Sequence, residues 1–437
     1  MINPTHRFSA YMAVTALVIA VAVFIEPGAL PIAATLLALE IAMYFHLWLS
    51  IGAVNRLEVE ASIDALTDRE PVVVRIRLVN RGLYPVLLAE YSLGYEPILR
   101  LEKGCKAGIL TVPSRGVAEL VFVFGARVGM HRIDGLTLVV RDFLGLFKSQ
   151  PLVVWKGSSF RVIPSTEATV LKRLYLYTRS SGLVRSRRPG EGIEFYDVRD
   201  YRPGDELRRV VWRIYATRQK LAVWEAERES YQAIVYVINS SRDMWTGVPK
   251  ATPVEHSARV IASIARYAAS RGYLQTAAVV NEYGTVVFGG PVYGRQGLSR
   301  VLEALANVSL CTLCTEEDQV NWSAALISIL PVLPRERAFI FIFTKTTPNT
   351  ERLLDLVIKL SSLGHRVYVV APITVTYDVS HGLPQKFIDV YRARQLEVAA
   401  EELRGIELLR KAGVRVIAVS PQLVAQRIVQ ALELTSA

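Results

Sequence analysis

Residues 233–243 read AIVYVINSSRD: an apolar run rich in β-formers, Ala233–Ile238, that ends on the polar stretch Asn239–Asp243. A short run with no polar position fits a strand covered on both faces, as in a parallel sheet. The chain downstream keeps the same rhythm. Val254–Ser270 has helical periodicity, Gln275–Val280 and Val286–Phe288 read as strands, and Gln296–Asn307 as the next helix. Ala338–Phe343 is the clearest buried strand, followed by a helix over Glu351–Leu363 and a strand over Arg366–Val370. A helix around Asp389–Lys411, a strand over Val414–Val419 and a last helix from Gln422 complete the series. Strands alternating with helices predict an α/β domain over 231–437 with a mostly parallel sheet of Rossmann type. Sites in such sheets gather at the carboxyl ends of the strands. That points to Asn239, Ser241 and Asp243 after the first strand, and to Thr344 and Lys345 after the central one.

Upstream, over 57–165, the pattern changes to short alternating segments. Val72–Val79, with Arg75 and Arg77 facing out, Leu120–Phe124 and Leu136–Val140 are strand candidates separated by Gly- and Asn-containing turns. This predicts a β-sandwich. Residues 166–230 are the connector, and they hold a dense polar and aromatic stretch, GIEFYDVRDYRPGDELRRVVWRIYATRQKLAVWE, from Gly192 to Glu225. Its polar positions follow neither a helical nor a strand period. Arg208 and Arg209 are expected to pair with Glu194, Asp197 or Asp200, while Phe195, Tyr201 and Trp212 supply apolar area. Glu225, Glu227 and Glu229 share one strand face, which reads as a solvated edge or as a docking surface with Trp224 as an anchor.

Residues 1–56 account for part of the 51% hydrophobic content. Phe8–Ile25 and Ala29–Val54 are apolar runs of bilayer-spanning length, joined by Glu26-Pro27-Gly28. A cleavable signal peptide is the rival reading of the first run; the missing small-residue cleavage site and the immediate second run oppose it. Arg7 before the first run and Arg56 after the second predict a multi-pass cell-membrane protein, anchored by residues 8–54, with its soluble domains in the cytoplasm. Glu40, inside the second run, is expected to hydrogen-bond across the hairpin or to another subunit.

The chain carries 51 Lys and Arg against 40 Asp and Glu, a formal charge of +11. An anionic lipid surface accounts for this excess. Nucleic acid is the disfavoured alternative, since Arg185-Ser186-Arg187-Arg188 is the only compact basic cluster. Cys311 and Cys314 form a lone C-x-x-C without a second pair and read as two packed thiols, with a redox dithiol as the less favoured alternative.

The Gly192–Glu225 stretch resembles the signature of the domain of unknown function 58 family: Glu194-Phe195, Arg199, Tyr201, Gly204-Asp205, Arg208-Arg209, Trp212 and Ala216 match its motif. Arg127–Arg132 and Asp142–Phe147 are similar to two further family elements. Val211 stands where the family has an acid, and Thr217 where it has an arginine. The resemblance implies a von Willebrand factor A-like C-terminal domain, whose complete versions bind a divalent metal through oxygen ligands. Here the metal positions are degenerate: Asn239-x-Ser241-x-Asp243 opens with an amide, and Thr344-Lys345 replaces an expected aspartate. No metal and no cofactor are therefore expected, with Lys345 filling the vacant charge position. The resemblance also implies a partnership with a MoxR-type AAA+ ATPase in assembly or chaperone-like work.

The leading expectation is a membrane-anchored, non-catalytic scaffold. An alternative is a membrane-associated enzyme in which Glu194 and Asp205 act as an acid/base pair and Arg199, Arg208 and Arg209 clamp an anionic substrate. The six histidines form no constellation, and no nucleophile elbow, P-loop or zincin motif is present. A third alternative is electrostatic nucleic-acid binding.

Overall fold

Two long apolar segments form helices first. In this computed structural model, the first helix (α1, His6–Phe24) and the second (α2, Leu30–Val54) are joined by a turn at Pro27–Ala29. Their most apolar 18-residue stretches, with mean hydropathies of 1.9 within His6–Phe24 and 1.7 within Pro27–Val54, make both long and apolar enough to cross a membrane. The described residues are 2–65, 67–166, 183–247, 249–311, 314, 319–346, 350–373, 385–419 and 421–433; the side chains of 183–196, 226–231, 385–389, 391, 392, 395, 421, 422 and 433 lie outside that set. Tyr11 donates to the Leu36 carbonyl at 3.1 Å, tying the helices together. Glu40 makes no hydrogen bond to a described residue, so the bond expected across the hairpin is not seen. His46 instead meets the Tyr84 hydroxyl and stacks on Phe143, with ring centroids 4.6 Å apart.

The chain forms two compact units, Met1–Val162 and Ile163–Ala437. In the first, strands β2 (Glu58–Asp64), β3 (Val72–Val79), β5 (Leu101–Lys103) and β7 (Val117–Phe124) make an antiparallel sheet in the order β2-β3-β7-β5. Strands β4 (Val86–Tyr95), β6 (Ala107–Val112), β8 (Gly129–Val140), β10 (Leu152–Trp155) and β11 (Ser158–Val162) make another, in which β8 is paired with β4, β10 and β11. The short β1 (Ile2–Pro4) pairs with β9 (Phe147–Ser149). Strand alternation explains the faces: Val72, Val74, Ile76 and Leu78 are buried, while Arg75 and Arg77 reach Asp64 and Glu60 on the outer side at 2.6 and 3.4 Å. Each such apolar side chain contributes roughly 1.5–3 kcal/mol relative to exposure. Both sheets line one apolar cluster, and Leu47, Ala53 and Val54 of α2 belong to it. The second helix therefore ends inside the core of the sheets, with no free tether between them.

The second unit opens with a long hairpin, β12 (Leu183–Asp200) and β13 (Ala222–Tyr231), whose connection carries a short helix, α3 (Trp212–Arg218). Next comes β14 (Ala233–Asn239), every residue of it buried, at the centre of a seven-stranded sheet. It lies parallel to β15 (Leu274–Asn281) on one side and to β18 (Ala338–Phe343) on the other. Beyond β18 run β19 (Arg366–Val370) and β20 (Arg415–Ile417), both parallel. β16 (Gly284–Val287) and β17 (Val292–Tyr293) pair antiparallel with β15. Numbered in chain order along this path alone, with β17 left out, β16-β15-β14-β18-β19-β20 has the order 3-2-1-4-5-6 of doubly wound sheets, with the edge strand β16 antiparallel.

The helices are α4 (Pro253–Ser270), α5 (Gly294–Ala306), α6 (Trp322–Ile329), α7 (Thr350–Ser362), α8 (Gln385–Lys411) and α9 (Pro421–Glu433). A capping box between Thr252 and Glu255 starts α4. Helix α6 was not expected from the sequence. Its residues, WSAALISI, show no polar face, and the start signal is a single side chain, Asn321, accepting from the Ala324 N–H at 3.0 Å. Cys311 and Cys314, expected as two free thiols, are joined as a disulfide; their Cα atoms lie 5.5 Å apart, within bonding range.

Candidate functional site

The carboxyl ends of β14 and β18 bring the expected residues together. Asn239, buried at the end of β14, accepts the Ser241 N–H at 2.8 Å and donates to the Thr344 hydroxyl at 3.0 Å. Its amide is thus committed on both sides, a pattern a carboxylate could not make because it has no N–H to give. Lys345 turns its ammonium inward: Nζ donates to Thr246 Oγ1 at 2.9 Å and lies 3.8 Å from Glu402 Oε1. The Lys345 and Glu402 side chains are 8% and 1% exposed. Burial pushes the Lys345 pKa down, opposed by the nearby Glu402 and Asp243 carboxylates. Asp243 itself is exposed.

Glu402 comes from α8, which approaches closely. The Thr346 hydroxyl donates to the Glu402 carbonyl at 2.8 Å, and a Cβ on Gly405 would come within 2.9 Å of Thr346. The divalent metal implied by the family resemblance does not fit these residues. The first carboxylate position holds an amide already spent on hydrogen bonds, and an ammonium occupies the buried position facing Glu402. Sequence reasoning missed Glu402 and Thr246 because both reach Lys345 only through the fold.

The second cluster is the connector. Arg199 closes a fork on Asp205, with Nη1–Oδ2 and Nη2–Oδ1 both 2.7 Å, while its Nε reaches Glu225 Oε1 at 2.6 Å. Asp205 also accepts the Arg202 N–H at 2.8 Å across the turn that Gly204 completes at φ +107°. Bonding to the Arg199 guanidinium, and then to the Arg202 amide, lowers the Asp205 pKa to about 2. Contact with Asp205 and Glu225 raises that of Arg199.

Several expectations are corrected by this geometry. Arg208 and Arg209 pair with Glu206, the acid adjacent in the same turn, at 2.7 and 3.3 Å, where Asp197 or Asp200 was expected; the third expected partner, Glu194, lies outside the described side chains. Glu225, read as part of a solvated edge, is an Arg199 partner. Trp224 lies beneath the Arg209 guanidinium, 5.9 Å from centroid to carbon. Trp212 does not fill a core: it is 60% exposed, edge-on to Tyr215, with Leu207 also exposed. Tyr201 ties the turn to the hairpin through its N–H to the Leu221 carbonyl at 3.0 Å. The side chains of Glu194 and Phe195, and of Arg185, Arg187 and Arg188, lie outside the described residues.

A family model described as "Protein of unknown function DUF58" matches residues 197–424, more than half of the chain. The chain belongs to the DUF58 family. Of the signature residues, Arg199, Tyr201, Gly204, Asp205, Arg208 and Trp212 fall in the matched stretch, as does the whole Asn239–Lys345–Glu402 cluster. Among solved structures, this DUF58 chain is similar to the conserved hypothetical protein BatB from Bacteroides thetaiotaomicron, at 9% identity over 46% of this chain and 99% of that one, with a TM-score of 0.30. An aerotolerance-related membrane protein from Bacteroides fragilis NCTC 9343 is 13% identical over 46% and 97%, with a TM-score of 0.29. The SpRpn10 VWA domain is 11% identical over 46% and 94%, with a TM-score of 0.26. No curated protein matches the sequence.

Proposed function

We propose that this DUF58 protein is a membrane-anchored, non-catalytic interaction protein whose partner face works without a metal ion. The carrying observation is the buried Lys345 ammonium between Thr246 and Glu402, at the end of the sheet where the von Willebrand factor A-like reading puts a divalent cation. An ammonium built into the chain supplies the positive charge in place of a metal, so binding would not depend on metal supply. In this reading the domains divide as 1–56, 57–165, 166–230 and 231–437: a membrane hairpin, a β-sandwich, the signature connector and a von Willebrand factor A-like domain. The shared apolar cluster of α2 and the two sheets supports the sandwich, and the 3-2-1-4-5-6 order supports a Rossmann-type domain. Arg7 and Arg56 support a cytoplasmic location for the soluble parts.

Exposed Trp212, Tyr215 and Leu207 beside the rigid Arg199–Asp205 turn form the second element of the partner surface; exposed aromatics on a fixed scaffold are the usual anchors of interfaces. The proposed partner is a MoxR-type AAA+ ATPase. The enzyme alternative is weaker on physical grounds. A carboxylate with a pKa of about 2, both oxygens held by Arg199, is a poor proton acceptor near neutral pH.

The test uses full-length protein in detergent with a purified MoxR-type ATPase. Co-elution and altered ATP turnover are expected, unchanged by chelators and diminished by Trp212→Ala. No association, or association that chelators abolish, would overturn the reading.

A further inference from the structure

Near the first strand end lies a cluster that the interaction role leaves unused. Glu282, just past β15, directs Oε1 to the Arg242 N–H at 2.7 Å. Its Oε2 is buried without a hydrogen-bond partner among the described residues. Cys311, 3% exposed, and Cys314 stand beside it, and one ligand atom from each of the three residues lies within 4.8 Å of the others. A buried carboxylate oxygen with no partner among the described residues, next to two sulfurs, suits a cation. Tetrahedral zinc with bonds of about 2.3 Å to sulfur and about 2.0–2.2 Å to oxygen needs donors only about 3.5–4 Å apart.

We infer that Cys311, Cys314 and Glu282 form a zinc site when the disulfide is reduced, with water as the fourth ligand. The oxidised pair is the metal-free form. Opening it takes two electrons and two protons from an external dithiol, which closes to its own disulfide as the Cys311–Cys314 bond breaks into two thiols. Zinc binding then releases the two thiol protons to solvent and leaves two thiolates on the metal. A C-x-x-C in a reducing compartment is read as metal-binding or redox-active rather than as a structural staple. The third ligand makes this pair a site, and it comes from a different part of the chain, beyond any sequence motif. The proposal stands apart from the partner reading: neither Lys345 nor Trp212 takes part in it.

The experiment uses full-length protein in detergent carrying Cys105→Ser, which removes the exposed free thiol. Zn²⁺ is titrated against a chromogenic chelator under argon, before and after reduction with a phosphine. Expected are one tight zinc per reduced chain and none per oxidised chain. Co²⁺ in place of zinc should give a thiolate charge-transfer band in the near ultraviolet. Glu282→Gln should keep that band but weaken zinc binding on the order of 10- to 100-fold; Cys311→Ser should abolish both. Reduced protein that titrates two free thiols yet holds no more zinc than Cys311→Ser would overturn the site. Unchanged affinity in Glu282→Gln would overturn the carboxylate's part in it.

Discussion

The Lys345 ammonium stands 3.8 Å from the Glu402 carboxylate, and neither side chain is more than 8% exposed. A buried pair of this kind adds little net stability, but removing the ammonium takes away a charge that compensates the buried Glu402 carboxylate. Lys345→Met should therefore destabilise the protein by about 3 kcal/mol, read as a lower denaturant midpoint. The double variant Lys345→Met with Glu402→Gln should recover most of that loss. A single variant as stable as the wild type would show that the pair carries no charge.

The same geometry forecasts the response to Mg²⁺. With Asn239 bonded to Ser241 and Thr344, and Lys345 filling the cation position, wild-type protein should show no saturable Mg²⁺ binding in the micromolar range by calorimetry. Micromolar affinity would refute the substitution of ammonium for metal.

How far the sequence anticipates this arrangement depends on which physical signal each part leaves in it. Ala233–Ile238 and Ala338–Phe343 are legible because strands covered on both faces must be apolar throughout. Asn239, Ser241, Thr344 and Lys345 follow directly from where those strands stop. Glu402 is not legible: it sits in the long α8, where a glutamate looks like any solvated helix position until Gly405 lets the helix close on Thr346. The connector misleads in another way. Arg208 and Arg209 have several acids within reach by sequence, and among the described side chains they pair with Glu206, next to them, and not with Asp197 or Asp200. Trp212 looks like core by residue type, yet its helix has only two turns and leaves the ring outside.

The Arg199 fork gives a pH prediction. The folded-state pKa of Asp205 is about 2, below its ordinary 3.8. Its contribution is therefore complete above the ordinary value and lost as pH falls from there towards about 2. Hydrogen exchange at the Arg202 amide, which Asp205 holds, should accelerate across that window beyond the intrinsic trend. Arg199→Lys should show fast exchange even at neutral pH, because an ammonium cannot fork Asp205 and reach Glu225 together. Equal protection in the variant would remove the fork as the cause.

Trp212 separates folding from binding. Being 60% exposed, its replacement by alanine should change stability by no more than about 0.5 kcal/mol. As an interface anchor, the same change should weaken association with the proposed ATPase partner about tenfold or more. Loss of both together would assign Trp212 to the fold instead.

Leu47 tests whether the membrane hairpin and the sheets are one cooperative structure. The side chain is fully buried in the cluster that the two sheets share, although it belongs to α2. Leu47→Ala leaves a cavity and should cost about 2–5 kcal/mol, lowering the unfolding midpoint of the strands around it. An exposed leucine of α1 such as Leu17, 66% exposed, should tolerate the same substitution, because it packs against no core. If the two variants unfold alike, α2 does not end in the core of the sheets. If only Leu47→Ala is destabilised, the two sheets are held directly on α2, and removal of residues 1–56 would expose the apolar surface that Leu47, Ala53 and Val54 cover.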